Sequence, residues 1–147
     1  MSFTCSLDHV HVLVTDREAA AAWYERVLGF ERLEASEDPY GPLTISADGG
    51  RTSLALFTSR VAAEPNRVVA LRLDAQGFVT FAARLLEVEI PSTNRVRLRP
   101  EDVVDHGDVL SFYLADPDGN SYEMATYEVD EARRGLEALG EGSRVEL

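Results

Sequence analysis

Residues 7–30, LDHVHVLVTDREAAAAWYERVLGF, decide the fold of this chain. Near the start of this stretch, valine alternates with His9, His11 and Leu13. A strand places successive side chains on opposite faces, so the alternation predicts a strand with a valine face and a histidine face. We expect the valine face to pack on a helix and the histidine face to line a pocket.

An amphipathic helix is predicted directly after this strand. Thr15 and Glu18 have the spacing of a capping box, with Thr15 as the N-cap. Gly29 is a typical residue at which such a helix ends. The apolar stripe of the helix has the i, i+3, i+4, i+7 spacing and consists of Ala20, Trp23, Tyr24 and Val27.

The strand–helix pattern occurs twice, and each time short strands follow it. The first βαβββ unit spans about residues 7–58, and a linker is expected around residues 62–66. The second unit spans about residues 67–127, and a C-terminal helix and charged tail occupy residues 128–147. The strands predicted after each helix lie at residues 30–33, 43–47, 52–58, 95–99, 109–115 and 121–127.

The second unit has its own helix and turn signals. Asp74 occupies the place that Asp16 has in the first unit, after a strand at residues 68–73. The second helical stripe consists of Phe78, Phe81, Ala82 and Leu85. Residues 1–147 are therefore expected to form one α+β domain, with an eight-stranded, cup-shaped mixed sheet and the helices outside.

The composition excludes several classes of function. The 147 residues carry a formal net charge of −12, which disfavours binding to nucleic acid. No apolar run is long enough for a membrane span, and the first ten residues lack a signal-peptide pattern. The single cysteine, Cys5, fits a reducing compartment, so we expect a cytoplasmic protein. Every basic residue is Arg, which fits a GC-rich genome or a salt-loving host.

Two stretches of the chain resemble the vicinal oxygen chelate superfamily. They are residues 7–30 and residues 111–124, SFYLADPDGNSYEM. The superfamily includes glyoxalase I, extradiol dioxygenases and bleomycin-resistance proteins, and the resemblance covers residues 7–127. Residues 104–123 also fit the extradiol dioxygenase signature. Its elements here are His106, the Phe112-Tyr113 pair, the turn Asp116-Pro117-Asp118-Gly119 and Glu123.

The resemblance implies a divalent metal, Fe, Mn or Zn, held by the first and last strand of each unit. His9 and Glu123 occupy two of the four ligand positions. Aligning the two units with each other places Val68 opposite His9 and Ala55 opposite Glu123. Neither of these side chains can bind a metal, so two positions are vacant.

Other polar residues fall on the same predicted faces. His11 is either an optional third metal ligand or a residue that lines the ligand pocket. His106 and Tyr113 are the candidates for proton transfer, although His106 also fits a turn histidine partnered by Asp105. Arg72 would need a carboxylate such as Glu123, a bound anion, or access to water.

Two functions follow from these expectations. The first is a metal-dependent enzyme, dioxygenase-like or glyoxalase-like, that acts on a small substrate with adjacent oxygens. The second is a metal-free protein that binds or sequesters a small ligand such as a drug. In either case we expect a homodimer, because apolar edge strands in a small domain need cover.

Overall fold

The computed structural model describes residues 4, 6–34, 41–60 and 67–145, with side chains through residue 142. Cys5 and the expected linker therefore lie outside the described residues. The chain divides into two compact units, Met1–Glu64 and Pro65–Leu147. No helix in the described ranges is long and apolar enough to cross a membrane.

The first unit is a βαβββ unit, so this prediction is confirmed. Its elements are β1 (His9–Val14), α1 (Arg17–Leu28), β2 (Glu31–Arg32), β3 (Leu43–Ser46) and β4 (Ser53–Thr58). The four strands form a mixed sheet with the order β1-β4-β3-β2. β1 pairs with β4 in parallel, and the other pairs are antiparallel.

The two faces of β1 differ as the alternation predicted. Val12 and Val14 are buried, whereas His9, His11 and Leu13 are exposed. The α1 stripe of Ala20, Trp23, Tyr24 and Val27 is also buried. The valine face therefore belongs to the core, and the histidine face is available to a ligand.

The N-cap predicted for α1 is wrong by one residue. Asp16, not Thr15, has the extended backbone of an N-cap, with φ −139° and ψ 106°. Its carboxylate accepts hydrogen bonds from the backbone N–H groups of Glu18 and Ala19 at 3.0 and 3.1 Å. A carboxylate at this position satisfies two free donors of the first turn, so the capping box is not needed. Gly29 ends the helix in the left-handed conformation, as predicted.

The second unit repeats the arrangement of the first. Its elements are β5 (Val68–Arg72), α2 (Ala75–Glu87), β6 (Val104–Asp105), β7 (Leu110–Ala115), β8 (Ser121–Thr126) and α3 (Val129–Val145). The strand order is β5-β8-β7-β6, with β5 and β8 parallel and the remaining pairs antiparallel. The stripe of Phe78, Phe81, Ala82 and Leu85 is buried, as predicted.

The strand predicted at residues 95–99 is wrong. Arg95 has a φ of 63°, and its N–H bonds to the carbonyl of Ser92 at 2.9 Å. This turn folds the chain back on itself, because Leu98 N–H bonds to the carbonyl of Ile90 at 2.8 Å. The alternating residues therefore form a small local hairpin, and the edge of the sheet is β6. α3 runs from Val129 to Val145, so the helix takes up nearly all of the stretch predicted as a helix and charged tail.

A close approach between α2 and α3 predicts the effect of one substitution. A Cβ added at Gly135 would lie 2.5 Å from Cγ2 of Val79. Replacing an exposed helical glycine by alanine normally stabilises a protein by about 0.5–1 kcal/mol. We expect Gly135→Ala to lower the free energy of unfolding instead, because the methyl group forces the helices apart. Gly140→Ala is the control, since no atom lies within 4 Å of its added Cβ, and it should be stabilising in urea titrations. Equal stabilisation by both substitutions would contradict the expected clash.

The turn between β3 and β4 predicts a loss of stability in acid. The Asp48 carboxylate accepts hydrogen bonds from the side chain and backbone of Thr52 and from Ser46, which lowers its pKa to about 2. Because its pKa is lowered, the ionised Asp48 carboxylate stabilises the fold fully at pH values above the ordinary pKa of 3.8. This stabilisation is lost as the pH falls towards 2. We expect Asp48→Asn to lose less stability than the parent chain between pH 4 and pH 2. Urea titrations across this range measure the difference, with Asp108→Asn as the control.

Candidate functional site

His9 and His11 form a close pair on the exposed face of β1. Their Nε2 atoms are 3.0 Å apart, and their rings are stacked with centroids 5.0 Å apart. Nδ1 of His9 is 2.6 Å from Oδ2 of Asp8, and the His11 ring packs against Phe57 at 4.6 Å. The pair is therefore held from both sides.

The contact with Asp8 determines how this pair can act. A carboxylate accepts only from a protonated ring nitrogen, so Nδ1 of His9 carries a hydrogen. In the neutral ring Nε2 is then the acceptor, and Nε2–H of His11 donates to it across 3.0 Å. Histidines that bind metals commonly donate their second ring N–H to a carboxylate in this way. Two nitrogens on one ion, each at ~2.0–2.1 Å from it, lie roughly 2.9–3.4 Å apart. The 3.0 Å separation of the Nε2 atoms fits that geometry.

The first unit nevertheless lacks a complete set of metal ligands among its described residues. Within the described ranges, no group of three or more His, Cys, Asp or Glu side chains is placed to hold a metal ion. His9 and His11 can supply two nitrogen ligands. A divalent ion that binds there needs a further ligand or water.

A second polar cluster lies in the other unit and contains Glu123. Glu123 on β8 faces Tyr113 on β7, since the two residues are partners in the antiparallel ladder. Oε1 of Glu123 accepts a hydrogen bond from Ser111 Oγ at 2.6 Å and another from the Tyr113 hydroxyl at 3.3 Å. Ser111 is fully buried and Glu123 is half-buried, so the carboxylate is held by donors from one neighbouring strand.

Tyr113 also connects this carboxylate to His106. The Tyr113 hydroxyl lies 3.1 Å from Nε2 of His106, whose side chain is exposed. Burial, followed by the charge of Glu123, raises the pKa of Tyr113. The phenol therefore stays protonated near neutral pH and acts as a hydrogen-bond donor. The chain Ser111–Glu123–Tyr113–His106 leads from a buried hydroxyl to an exposed imidazole.

The turn that carries His106 is fixed from α3. Arg133 donates to both carboxylate oxygens of Asp105, with the shortest contact at 2.7 Å. The backbone N–H of Gly107, which has a φ of 92°, donates to Asp105 at 2.8 Å. The Gly107 N–H and then Arg133 lower the pKa of Asp105. Asp105 therefore binds the backbone and Arg133. The sequence suggested His106 as its partner instead.

Arg72 lies on the exposed face of β5. Its guanidinium is 4.6 Å from the centre of the Tyr127 ring, a cation–π contact. Sequence analysis named Glu123, a bound anion or water as its partner. The tyrosine immediately after β8 was not foreseen.

The candidate residues thus fall into two groups, one in each unit. The structure brings His9 together with His11, and His106 together with Tyr113 and Glu123. Sequence analysis missed Asp8, Ser111 and Arg133 as members of these groups. Asp8 adjoins His9, and Ser111 shares a strand face with Tyr113, so both had a signal in the sequence. Arg133 had none.

A comparison with protein families identifies the chain. The model of the Glyoxalase/Bleomycin resistance protein/Dioxygenase superfamily matches residues 6–124. The chain belongs to this superfamily. None of the curated proteins compared with it gives a significant match.

Three solved structures of proteins that differ in function share the fold of this chain. Oxidase ChaP-H2 is 23% identical, with 84% of this chain and 94% of that chain covered and a TM-score of 0.65. A lactoylglutathione lyase from Agrobacterium tumefaciens is 22% identical, with 86% and 96% covered and a TM-score of 0.62. TnmS3, an antibiotic binding protein from Streptomyces sp. CB03234, is 21% identical, with 86% and 99% covered and a TM-score of 0.61.

The strand registers agree with the alignment of the two units to each other. His11 pairs with Ala55 in the first unit, and Ala70 pairs with Glu123 in the second. Ala55 is therefore the counterpart of Glu123. By the same register, His9 pairs with Ser53 and Val68 pairs with Ser121, so Val68 is the counterpart of His9. The two positions at which the resemblance left the expected ligands vacant, Ala55 and Val68, carry apolar side chains.

Arg133 provides a test of how His106 is positioned. We expect Arg133→Gln to release Asp105 and the turn, so that His106 loses its contact with Tyr113. The free energy of unfolding should change little, because the ion pair is solvent-exposed. Proton NMR should show the loss of cross-peaks between the His106 and Tyr113 rings. Arg134→Gln is the control and should keep them. Cross-peaks between these rings that persist in Arg133→Gln would show that the turn keeps its conformation without the ion pair.

Proposed function

We propose that this superfamily member is a metal-dependent enzyme that acts on a small substrate with two adjacent oxygens. The single observation that carries the proposal is the geometry of His9 and His11, with 3.0 Å between their Nε2 atoms and Asp8 on Nδ1 of His9. In the neutral His9 ring the Asp8 contact leaves Nε2 as the acceptor in the 3.0 Å contact with His11, and a metal ion can take the place of the hydrogen that lies between the two Nε2 atoms.

The proposed ligands in the first unit are His9 and His11, with water or substrate oxygens in the remaining positions. Glu123, the carboxylate ligand expected from the sequence, lies in the second unit and stays a prediction. Oε1 of Glu123 accepts two hydrogen bonds, and Oε2 has no partner among the described residues. Imidazole nitrogens suit Fe(II) or Zn(II), and oxygen ligands in the remaining positions also accept Mn(II). When bound, such an ion polarises the adjacent oxygens of the substrate and stabilises negative charge that develops on them.

The proton transfers are assigned to the second cluster. The neutral Tyr113 hydroxyl donates a hydrogen bond, and its raised pKa keeps it in the donor form. His106 is exposed and lies 3.1 Å from that hydroxyl, so it can exchange protons with solvent. Of the two reaction classes, we favour the dioxygenase-like one, because Tyr113 links the signature residues His106 and Glu123 directly.

Metal affinity tests the first half of this proposal. Chelator-treated protein titrated with Mn(II), Fe(II) or Zn(II) in a calorimeter should bind about one ion per chain. His9→Ala and His11→Ala should abolish most of this affinity, and Asp8→Asn should lower it about 10–100-fold. His106→Ala is the matched control, a histidine outside the proposed ligand set, and should keep the affinity. A chain that binds no ion, or loses none of its affinity in His9→Ala, is not a metal enzyme of this kind.

Turnover tests the second half. Fe(II)-loaded protein screened against catechols should consume oxygen, and His106→Ala should lower turnover roughly 10²–10⁴-fold without changing metal affinity. Tyr113→Phe should lower it as well, because Phe keeps the ring and removes the hydroxyl. Equal turnover in the parent chain and in His106→Ala would remove His106 from the mechanism.

A second candidate function is metal-free binding of a small ligand. The buried Ala55 and the exposed Val68 at superfamily ligand positions favour it, as does the likeness to an antibiotic binding protein. Arg72 would then contact the ligand. Thermal-shift measurements with a chelator present distinguish the two functions, because only metal-free binding raises the melting temperature under that condition.

A further inference from the structure

The second unit carries a groove that none of the site residues lines. It lies between the C-terminal end of α2, the short 3-10 helix Pro100–Asp102 and α3, and its volume is about 520 Å³. Small-molecule sites in proteins commonly measure about 300–1,000 Å³. The groove is therefore large enough for a small organic ligand.

The floor of the groove is apolar and open to water. It is formed mainly by Leu86, Val103, Leu136 and Leu139. Leu86 is 48% exposed, although its neighbour Leu85 is fully buried in the core. Leu136 and Leu139 are only half-buried. These side chains leave apolar surface open to water, and an apolar ligand that covers it removes that surface from water.

The lining of the groove is negatively charged. Glu101 and Glu137 contribute its two charged side chains, and both residues are exposed. Neither carboxylate has a basic partner among the described residues. No lysine is present in the chain, and the net charge of −12 adds a long-range field of the same sign. An occupant must therefore combine an apolar body with positive charge.

We propose that this groove binds a hydrophobic organic cation, an amine or quaternary ammonium compound with an apolar body. The apolar part would cover Leu86 and Leu136, and the cation would lie between Glu101 and Glu137. A second copy of this chain is a poorer occupant, because a two-fold interface would bring the same carboxylates of both copies together. The proposal is independent of the metal and proton-transfer residues.

The first experiment uses three probes that share a benzyl group. Benzyltriethylammonium is the cation, benzyl alcohol is neutral and phenylmethanesulfonate is the anion. In ¹H–¹⁵N NMR titrations, the cation should shift amide signals at the end of α2, the 3-10 helix and residues 136–140. It should bind about fivefold or more tightly than the alcohol, since two exposed charge contacts together contribute about 1 kcal/mol. The anion should produce no shifts there.

Matched variants locate the binding site. The double variant Glu101→Gln, Glu137→Gln should weaken the cation about fivefold and leave the alcohol unchanged. Leu86→Lys should weaken both probes, and its exposed position makes it compatible with folding. Glu131→Gln, an exposed carboxylate on α3 outside the groove, is the control and should keep the parent affinity.

Three results would overturn the proposal. Equal affinity for the cation and the alcohol would show that charge does not select the ligand. Shifts confined to β1 or to the neighbourhood of Glu123 would place the cation at the other site. A dimer in light scattering that Leu86→Lys converts to a monomer would show that a second copy of the chain covers the groove.

Discussion

The parallel pairing of the first and last strand in each unit is the constraint on which the rest of the structure depends. β1 pairs with β4, and β5 pairs with β8, in the same register. A shift of one residue would exchange the two faces of a strand and place the histidines of β1 in the core. Because the register is fixed by the buried valines, His9 and His11 stay on the open face.

Much of the fold can be predicted from the periodicity of apolar residues, because burial in the core selects that periodicity. Two strand–helix repeats, both helical stripes and the two faces of β1 were predictable, since each pattern extends over several residues and the core selects all of them together. Single positions were less predictable. The N-cap fell on Asp16 because its carboxylate reaches two backbone donors. The strand expected at residues 95–99 failed because a left-handed residue, Arg95, folds the chain into a local hairpin.

The candidate site shows the same division. His106, Tyr113 and Glu123 were predictable as a set, because the signature that contains them has a fixed spacing and a shared strand ladder brings Tyr113 beside Glu123. The contact between Arg133 and Asp105 was not predictable, because it joins residues 28 positions apart through the packing of α3. Exposed ion pairs of this kind leave no hydrophobic pattern in the sequence.

The two units differ on one face and agree on the other. Both have buried apolar side chains on the face that belongs to the core, since the core of each unit needs them. On the opposite face the first unit has His9 and His11 beside Ala55, whereas the second has Val68 and Ala70 beside Glu123. Exposed positions contribute little to folding, so they accept different side chains as long as the register stays intact. The same scaffold therefore carries nitrogen donors in the first unit and a hydrogen-bonded carboxylate in the second.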